Sequence, residues 1–215
     1  CFITPDHCIH AVFACNGFLS DQESVMSSRQ KLTFVFIILA AATLWQLGLA
    51  GWIHTKAIAA QILLDRAWQQ TLVDHKQTRP WPWADTWPVA ELIVPEIDIA
   101  QIVLAGDSGA TLAFGPGHSF ASALPDEHGT VMISGHRDTH FRFLQDLKKG
   151  TRLILKTKSG IHYYTVTGTQ IVDSRSFVVD NSNDELVLVT CYPFNSAITG
   201  GNERYLVYAQ RERII

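Results

Sequence analysis

The sequence predicts an all-β domain, a sandwich or a barrel with few short helices, preceded by an N-terminal transmembrane helix. Two observations support this prediction. From residue 89 onward the chain is a series of short runs of β-type residues separated by Gly, Pro, Asn and Asp, which is the pattern of all-β domains. Nearer the N-terminus, residues 32–53 carry no formal charge, so they are long and apolar enough to span a bilayer.

The composition is consistent with one domain plus a membrane segment. The chain has 215 residues, and a single domain usually needs roughly 100–200. Hydrophobic residues make up 47% and charged residues 17%, the latter below the roughly 25% of soluble domains, which indicates that part of the chain avoids water. The formal net charge of −3 offers no broad basic field for a phosphate backbone, and this disfavours nucleic acid as a partner.

Residues 1–31 form an N-terminal segment, of which residues 1–25 are interpreted as an over-extended reading frame. The first Met, Met26, directly precedes a polar and basic run and then the apolar stretch. Residues 1–25 hold three of the four cysteines, so a metal site is the alternative. Their seven-residue spacing lacks the short C-x2-4-C pattern of zinc sites. We therefore predict no metal there.

Residues 32–53 are predicted to be a transmembrane anchor. As a helix, these 22 residues would extend about 33 Å at 1.5 Å per residue, enough to cross the hydrocarbon core of a bilayer. A cleaved signal peptide is the alternative, because residues 57–59, Ala-Ile-Ala, resemble a cleavage site. The apolar regions of signal peptides are typically only about 7–15 residues long, and this favours a retained anchor.

Residues 54–88 are predicted to connect the anchor to the folded domain at 89–215. Apolar side chains recur at helical spacing over residues 54–74, which predicts a stalk helix. Residues 79–88, Arg-Pro-Trp-Pro-Trp-Ala-Asp-Thr-Trp-Pro, contain three prolines, and these exclude a regular helix or a central strand. The three Trp of this linker could stack on a ligand, but packing of the linker onto the domain is favoured.

Seven runs after the linker are predicted to be strands, because β-branched and aromatic residues are frequent in them. They are Leu92–Ile99, Ile102–Ala105, Thr130–Ser134, Arg152–Thr157, His162–Val172, Glu185–Cys191 and Arg204–Gln210. Two short helices are predicted at Asp107–Ala113 and Phe141–Leu147. No internal repeat with a period of about 20–50 residues is found, which disfavours a solenoid or propeller.

Cys191 is the candidate nucleophile. It ends the strand-like run 185–191 and is the only cysteine after the apolar stretch. In an exported domain such a cysteine has no intrachain partner for a disulfide, and an idle thiol is prone to oxidation. The alternative is a small buried hydrophobe at the end of a strand, which is common for free Cys.

His136 and Arg204 are the candidate partners of that thiol. His136 lies where a strand-like run ends in a glycine, and a nearby imidazolium lowers a thiol pKa from its reference value of about 8.5. Arg204 follows the glycine-rich turn 199–203 and would lie beside Cys191 if the flanking strands form a hairpin. A guanidinium stays protonated, so it can only stabilise negative charge or hold substrate. Structural or surface roles are the alternatives for both residues.

Three motifs resemble those of the sortases and occur in the order found in that family. Residues 187–191, Val-Leu-Val-Thr-Cys, match the nucleophile motif Thr-Leu-x-Thr-Cys. Residues 204–207, Arg-Tyr-Leu-Val, match the Arg-x-x-Val/Ile strand that follows it. Residues 135–137 read Gly-His-Arg, as is common around the sortase histidine. The resemblance covers residues 88–210.

Within that family the chain is most similar to the sortases of Gram-negative bacteria (the proteobacterial class). Residues 80–85, Pro-Trp-Pro-Trp-Ala-Asp, and the short loop between Cys191 and Arg204 carry this likeness. One departure is Val187, which stands in place of the first Thr of the nucleophile motif. It lies four residues before Cys191, so we expect it to affect packing more than chemistry.

The resemblance implies an eight-stranded β-barrel that acts on a protein substrate with a C-terminal Leu-Pro-x-Thr-Gly-like sorting signal. It implies cleavage after the Thr through a thioester, and transfer of the acyl group to an amine whose identity stays open. In this scheme Cys191 attacks, His136 protonates the departing amine and deprotonates the incoming one, and Arg204 stabilises the oxyanion. No cofactor and no metal are expected.

The orientation in the membrane does not follow from the residues alone. Arg29 and Lys31 lie before the apolar stretch and Lys56 and Arg66 after it, so the positive-inside rule does not decide between the two directions. The resemblance implies a single-pass protein of the cytoplasmic (inner) membrane with its catalytic domain on the periplasmic side.

Two other groupings of polar residues compete with this interpretation. His118, His128, His136 and His140 could form a zinc site, but no Glu occupies the position that a metalloprotease signature needs. Asp138 could orient His136 as a third catalytic residue, or it could face solvent.

Two other functions remain open as alternatives. One is another exported Cys-His enzyme of the cell envelope, such as an L,D-transpeptidase, although Cys191 lacks the Ser-His-Gly-Cys context of that group. The other is a non-catalytic, membrane-tethered binding domain, which predicts no covalent intermediate.

Overall fold

The computed structural model describes residues 27–178, 180, 182–196 and 201–212. The segment before residue 27, with the predicted start at Met26 and the three N-terminal cysteines, lies outside the described residues, as do Thr199 and Gly200 of the glycine-rich turn. The chain divides into two compact units, Cys1–Trp52 and Ile53–Ile215.

A single helix, α1, runs from Ser28 to Asp74 and includes the residues predicted as anchor and stalk. Among the described residues it is the one helix that is long and apolar enough to cross a membrane. A signal sequence near the N-terminus meets the same criterion. The helix is therefore a candidate anchor.

The C-terminal part of α1 is packed within the second unit. Leu64 and Trp68 are each 1% exposed. The Trp68 indole donates to Glu91 Oε2 at 3.3 Å, and Gln61 Nε2 donates to the Phe114 carbonyl at 2.8 Å. Burying a large apolar side chain contributes about 1.5–3 kcal/mol, so these contacts fasten this part of the predicted stalk to the β-strand domain.

The proline-rich linker packs onto the domain at two of its three indoles. The Trp81 ring lies edge-on to Phe114, with ring centroids 5.1 Å apart. Trp87 is half-buried, and its carbonyl accepts from Ala105 N at 2.9 Å. Trp83 differs, since 79% of it is exposed.

The domain is a closed eight-stranded barrel, as the resemblance implied. Its strands are β1 Pro88–Val94, β2 Ile99–Ala105, β3 Gly117–His118, β4 Val131–Ser134, β5 Arg152–Thr157, β6 Ile161–Asp173, β7 Glu185–Cys191 and β8 Glu203–Arg211. Around the barrel their order is β1-β2-β3-β4-β7-β8-β6-β5. Pairing of β5 with β1 closes it. The short helices are α2 Gly109–Leu112 and two 3-10 turns, Pro95–Ile97 and Arg142–Asp146.

The predicted strand Leu92–Ile99 is wrong as a single element. Pro95 starts a 3-10 turn there, and Asp98 takes a left-handed conformation with φ of 52°, so the chain reverses and β1 pairs with β2. A proline has no N–H to donate to the ladder, which explains why the strand ends before it.

The two-residue strand β3 was missed by the sequence analysis. It pairs with β2 in parallel and with β4 in antiparallel orientation. Gly117 is required here, because a Cβ at that position would lie 2.2 Å from the Gly106 carbonyl oxygen. A strand of this length has no periodicity that a sequence pattern could reveal.

Side chains of β7 alternate between two apolar clusters. Leu186 and Leu188 belong to the large cluster inside the barrel, whereas Val187 and Val189 belong to a smaller one. We call the smaller cluster the outer apolar face: it consists of Val187, Val189 and Leu206, with Met132, Val172, Phe177 and Tyr208 packed against them. Alternation along the strand puts Cys191 on this outer face.

Candidate active site

The ends of β4 and β7 bring His136 and Cys191 to the same edge of the barrel. These strands are parallel neighbours, with Ser134 opposite Val189, so both run out at one edge. The alignment continues past the strand, because Gly135 N donates to the Val189 carbonyl at 3.0 Å. His136 and Cys191 are two residues beyond these partners. The fold thus brings together two residues that are 55 positions apart.

The turn that carries His136 is tightly packed. A Cβ on Gly135 would lie 2.6 Å from the Phe141 ring, and Phe141 is fully buried. Thr190 Oγ1 donates to the Gly135 carbonyl at 2.8 Å, and Phe141 N donates to the His136 carbonyl at 3.0 Å. The backbone of His136 is therefore held, while the residue itself is exposed.

Both residues line one cavity of about 450 Å³. Its lining consists of His136, Arg137, Asp138, Cys191, Tyr192, Pro193, Ser196, Gly201, Asn202 and Glu203. Cys191 is partly buried, which leaves its thiol accessible from the cavity. This arrangement can support nucleophilic attack by the thiol with proton transfer by the imidazole.

Arg204 lies beside Cys191 but does not line that cavity. The strands β7 and β8 form an antiparallel pair in which Cys191 and Arg204 are directly opposite, so their side chains share a face. Arg204 Nη1 donates to the carbonyls of Gly201 at 2.7 Å and Glu203 at 2.8 Å. Part of this guanidinium thus supports the loop between the two strands.

A carboxylate lies close to Arg204. The pKa of Asp173 is lowered to about 2, chiefly by hydrogen bonds from Arg175 and to a smaller extent by the charge of Arg204. Asp173 is therefore ionised at neutral pH, and it adds negative charge beside Arg204.

Arg137 is a residue of the cavity whose importance the sequence analysis missed. It is 7% exposed, and its guanidinium donates to both carboxylate oxygens of Asp138, at 2.8 and 3.0 Å. The pKa of Asp138 is lowered chiefly by these hydrogen bonds, with a smaller contribution from His136. Asp138 thus has Arg137 as its hydrogen-bond partner. The sequence signal for Arg137 was the Gly-His-Arg motif itself.

The histidines weighed as zinc ligands have separate surroundings. His118 lies in β3 with Nε2 2.8 Å from the Ala123 carbonyl, and His128 contacts Asp184 at 3.4 Å. His140 is nearer the site, and its pKa is lowered by burial and by the charge of His136. In the part of the chain that the structure describes, no three His, Cys, Asp or Glu residues are grouped to hold a metal ion.

Comparison with known proteins agrees with this geometry. Residues 92–212 match the family described as Sortase domain. The chain is 37% identical over 123 residues to Sortase D of Bacillus subtilis (strain 168), a match that covers 56% of this chain and 62% of that relative. The chain thus spans less than two thirds of the length of this curated relative.

Solved structures show the same fold. Sortase A from Corynebacterium diphtheriae is 27% identical with a TM-score of 0.53, and the match covers 66% of this chain and 69% of that one. A Sortase D5 transpeptidase from Clostridium perfringens, at 18% identity and a TM-score of 0.57, matches over 72% of this chain and 99% of its own. These relatives come from Gram-positive bacteria and give no support to the Gram-negative class. The Sortase domain match spans more than half of the chain, and the chain therefore belongs to the sortase family.

Proposed function

We propose that the protein is a membrane-anchored cysteine transpeptidase that cleaves a Leu-Pro-x-Thr-Gly-like sorting signal and transfers the acyl group to an amine. The observation that carries this proposal is the meeting of Cys191 and His136 in one cavity of about 450 Å³, inside a sortase domain. Their approach depends on the parallel pairing of β4 with β7.

In this reaction the Cys191 thiol attacks the backbone carbonyl carbon of the Thr in the sorting signal. A thioester to Cys191 forms as the peptide bond between Thr and Gly breaks. His136 gives a proton to the departing amine and later removes one from the incoming amine. The exposed position of His136 supports this role, since the imidazole has to reach both amines in turn.

Arg204 is proposed to stabilise the oxyanion of the tetrahedral intermediate. A guanidinium has five N–H donors, and the two hydrogen bonds to Gly201 and Glu203 come from Nη1 alone. Nε and Nη2 are then the donors for an oxyanion at Cys191, which is the residue directly opposite Arg204 in the strand pair.

The outer apolar face is proposed to bind the Leu-Pro portion of the sorting signal. It continues from Cys191 along β7 through Val189 and Val187, on the side of the sheet where the thiol lies. Further along, a cavity of about 150 Å³ is lined in part by Met132, Phe177 and Val187. An extended peptide could bury an apolar side chain there while its Thr-Gly bond reaches the thiol.

The cellular location and domain limits are proposals that rest on the sequence. We place a single-pass anchor at residues 32–53, a connecting segment at 54–88 and the catalytic domain at 89–215, on the periplasmic side of an inner membrane. The length and apolar composition of α1 support the anchor. The Gram-negative class rests on the Pro-Trp-Pro-Trp-Ala-Asp stretch and the short loop between Cys191 and Arg204.

The experiment is to incubate the full chain in detergent micelles with a Leu-Pro-x-Thr-Gly peptide, with and without an amine, and to weigh the protein. We expect a mass increase equal to the acyl fragment at Cys191, which disappears when the amine is added as a ligated product forms. A set of peptides with single replacements in the signal would define its residues. Absence of any adduct with the whole set, together with ordinary thiol reactivity, would show a binding domain instead.

A further inference from the structure

Arg137 is a buried arginine that connects two segments of the chain that line the cavity. Nη1 donates to the Pro193 carbonyl at 2.6 Å and Nη2 to the Ser196 carbonyl at 3.0 Å. On its other side, Nε and Nη2 donate to Asp138. One guanidinium thus joins the turn after β4 to the loop after β7, across 56 and 59 residues of sequence.

The loop that Arg137 holds begins directly after the nucleophile. Pro193 is two residues beyond Cys191, and Tyr192 N donates to the Glu203 carbonyl at 3.1 Å, which closes the strand pair. The loop residues Tyr192, Pro193 and Ser196 line the cavity together with His136. The distance between this loop and the turn that carries His136 therefore depends on contacts that join the two segments.

We propose that Arg137 is a positioning residue for acyl transfer, which holds the loop after Cys191 against the turn that carries His136 and so sets the spacing of thiol and imidazole. This role rests on the proposed function, because it is a role within that reaction. The planar fork of arginine can donate in two directions at once, whereas a lysine ammonium is a single point of charge. The shape of the guanidinium, as well as its charge, is then required.

Arg137 also places a positive charge near Cys191. The pKa of Arg137 is raised above its ordinary value chiefly by the hydrogen bonds to Asp138, burial opposes this, and a smaller favourable contribution comes from Cys191. Substitution of Arg137 by lysine keeps the positive charge and removes the planar fork, so it separates the effect of charge from the effect of shape.

A purely structural role is the competing explanation, since aromatic contacts also hold this loop. Tyr192 stacks on Tyr205 with ring centroids 6.2 Å apart, and Phe194 lies edge-on to Tyr205 at 5.1 Å. If these rings were sufficient, the position of the loop would not change when Arg137 is replaced.

The test compares Arg137→Lys and Arg137→Gln with Arg175→Lys and Arg175→Gln as matched controls. Arg175 makes the same fork with Asp173, at 3.1 and 2.7 Å, but its side chain is 72% exposed. On the full chain in detergent, three quantities are measured. They are the rate of Cys191 alkylation by iodoacetamide against pH, single-turnover thioester formation with a sorting-signal peptide, and hydrogen exchange of the backbone amides of residues 192 and 194–196.

For Arg137→Lys we expect an unchanged alkylation profile, faster exchange in the loop, and thioester formation slower by about 10- to 100-fold, because small misplacements of reacting groups cost on that order. For Arg137→Gln we expect the same kinetic loss and the same faster exchange in the loop, because both the positive charge and the planar fork are gone. Both Arg175 variants should stay within about twofold of the wild type in all three measurements.

Thioester formation by Arg137→Lys within twofold of the wild type, or unchanged exchange in the loop, would overturn the proposal. If the Arg137 variants fail to fold, Asp138→Ala is the second test, because it removes the carboxylate that holds Nε and Nη2 of Arg137. We expect faster exchange in the loop and slower thioester formation, and wild-type values in both measurements would overturn the proposal. If the wild-type chain forms no thioester with any peptide, the proposed function fails, and the alkylation profile and loop exchange still decide the role of Arg137.

Discussion

The two ends of β8 each carry an arginine, and the two arginines have different surroundings. At the C-terminal end, Arg211 contacts the His162 ring through Nη2 and Asp184 Oδ1 through Nη1 at 3.4 Å. At the N-terminal end, Arg204 is directly opposite Cys191, beside a cavity of about 450 Å³. At one end of β8 the arginine contacts the side chains of His162 and Asp184, whereas at the other end the arginine donates to backbone carbonyls beside the thiol.

The far end is a closed hydrogen-bonded network around Asp126. Its carboxylate accepts from Thr157 Oγ1, from Ser159 Oγ at 3.0 Å and from His162 Nε2 at 3.1 Å. Since arginine only donates, Arg211 requires His162 Nδ1 to be the acceptor, which puts the ring proton on Nε2. Every titratable group in this network has a structural partner, and this predicts effects on stability. Substitutions at the far end should therefore change stability, whereas substitutions beside the cavity should change the rate of the reaction.

Loss of the nucleophile should give the largest effect. Cys191→Ala should abolish both peptide cleavage and the thioester, because Cys191 is the only cysteine after residue 15. Folding should stay intact, since the thiol lies at the end of β7 and is only partly buried. Mass spectrometry and circular dichroism measure the two outcomes. Cleavage that persists in this variant would reject Cys191 as the nucleophile.

Removal of the histidine should give the next largest effect. His136→Ala should slow transfer by about 100- to 10,000-fold, the range for loss of a general acid or base. In the wild type we expect a bell-shaped dependence of rate on pH, because the nucleophile has to lose a proton and the general acid has to hold one. Steady-state rates across the pH range test this. A monotonic rise with thiol ionisation that is the same in His136→Ala would contradict the assignment.

The comparison between the two arginines can be tested directly with Arg204→Lys and Arg211→Lys. Arg204→Lys should slow acylation by roughly 100- to 1000-fold, equivalent to about 2.7–4 kcal/mol, because lysine loses the fork that can reach an oxyanion. Arg211→Lys should leave acylation within about threefold and lower the melting temperature instead. Single-turnover thioester formation separates them. If both variants are equally slow, or Arg204→Lys is within threefold of the wild type, Arg204 has no role at the oxyanion.

Local patterns allowed several elements to be predicted from the sequence. The bounds of β5 and β7 were predicted as observed, at Arg152–Thr157 and Glu185–Cys191, because continuous apolar or alternating runs mark them. The eight-stranded barrel came from the family resemblance, and it was confirmed. Closure by pairing of β5 with β1, and the parallel pairing of β4 with β7, depend on contacts distant in sequence, which periodicity does not report.

The same limit applies to the candidate active site, where contacts between residues distant in sequence could not be predicted from local patterns. Cys191 and His136 were predicted from their positions at strand ends and Arg204 from its place after a glycine-rich turn, and the resemblance to the sortases joined the three into one site. Arg137 was not found, because an arginine after a strand is usually exposed, and its burial is a result of two loop carbonyls that lie 56 and 59 residues away. Likewise, no local pattern showed that Arg204 would donate to the loop carbonyls.

Asp126→Asn should give the smallest effect, and it tests whether the far end serves stability alone. Burial raises the pKa of Asp126, but hydrogen bonds from Thr157, His162 and Ser159 together lower it below its ordinary value of 3.8. Because that pKa is lower in the folded chain than in the unfolded one, the carboxylate stabilises the fold fully above the unfolded pKa. This stabilisation is lost progressively as the pH falls through the folded pKa.

The network is partly exposed, so we expect Asp126→Asn to lower the free energy of unfolding by about 1 kcal/mol or less at pH 7. The difference from wild type should shrink as the pH falls through this lowered pKa. Denaturant unfolding at several pH values measures this difference in the free energy of unfolding. We also expect Asp126→Asn to form the thioester at the wild-type rate. A slower rate in this variant would show that the two ends of the barrel are coupled, and a cost that grows as the pH falls would show that Asp126 is not held as the carboxylate.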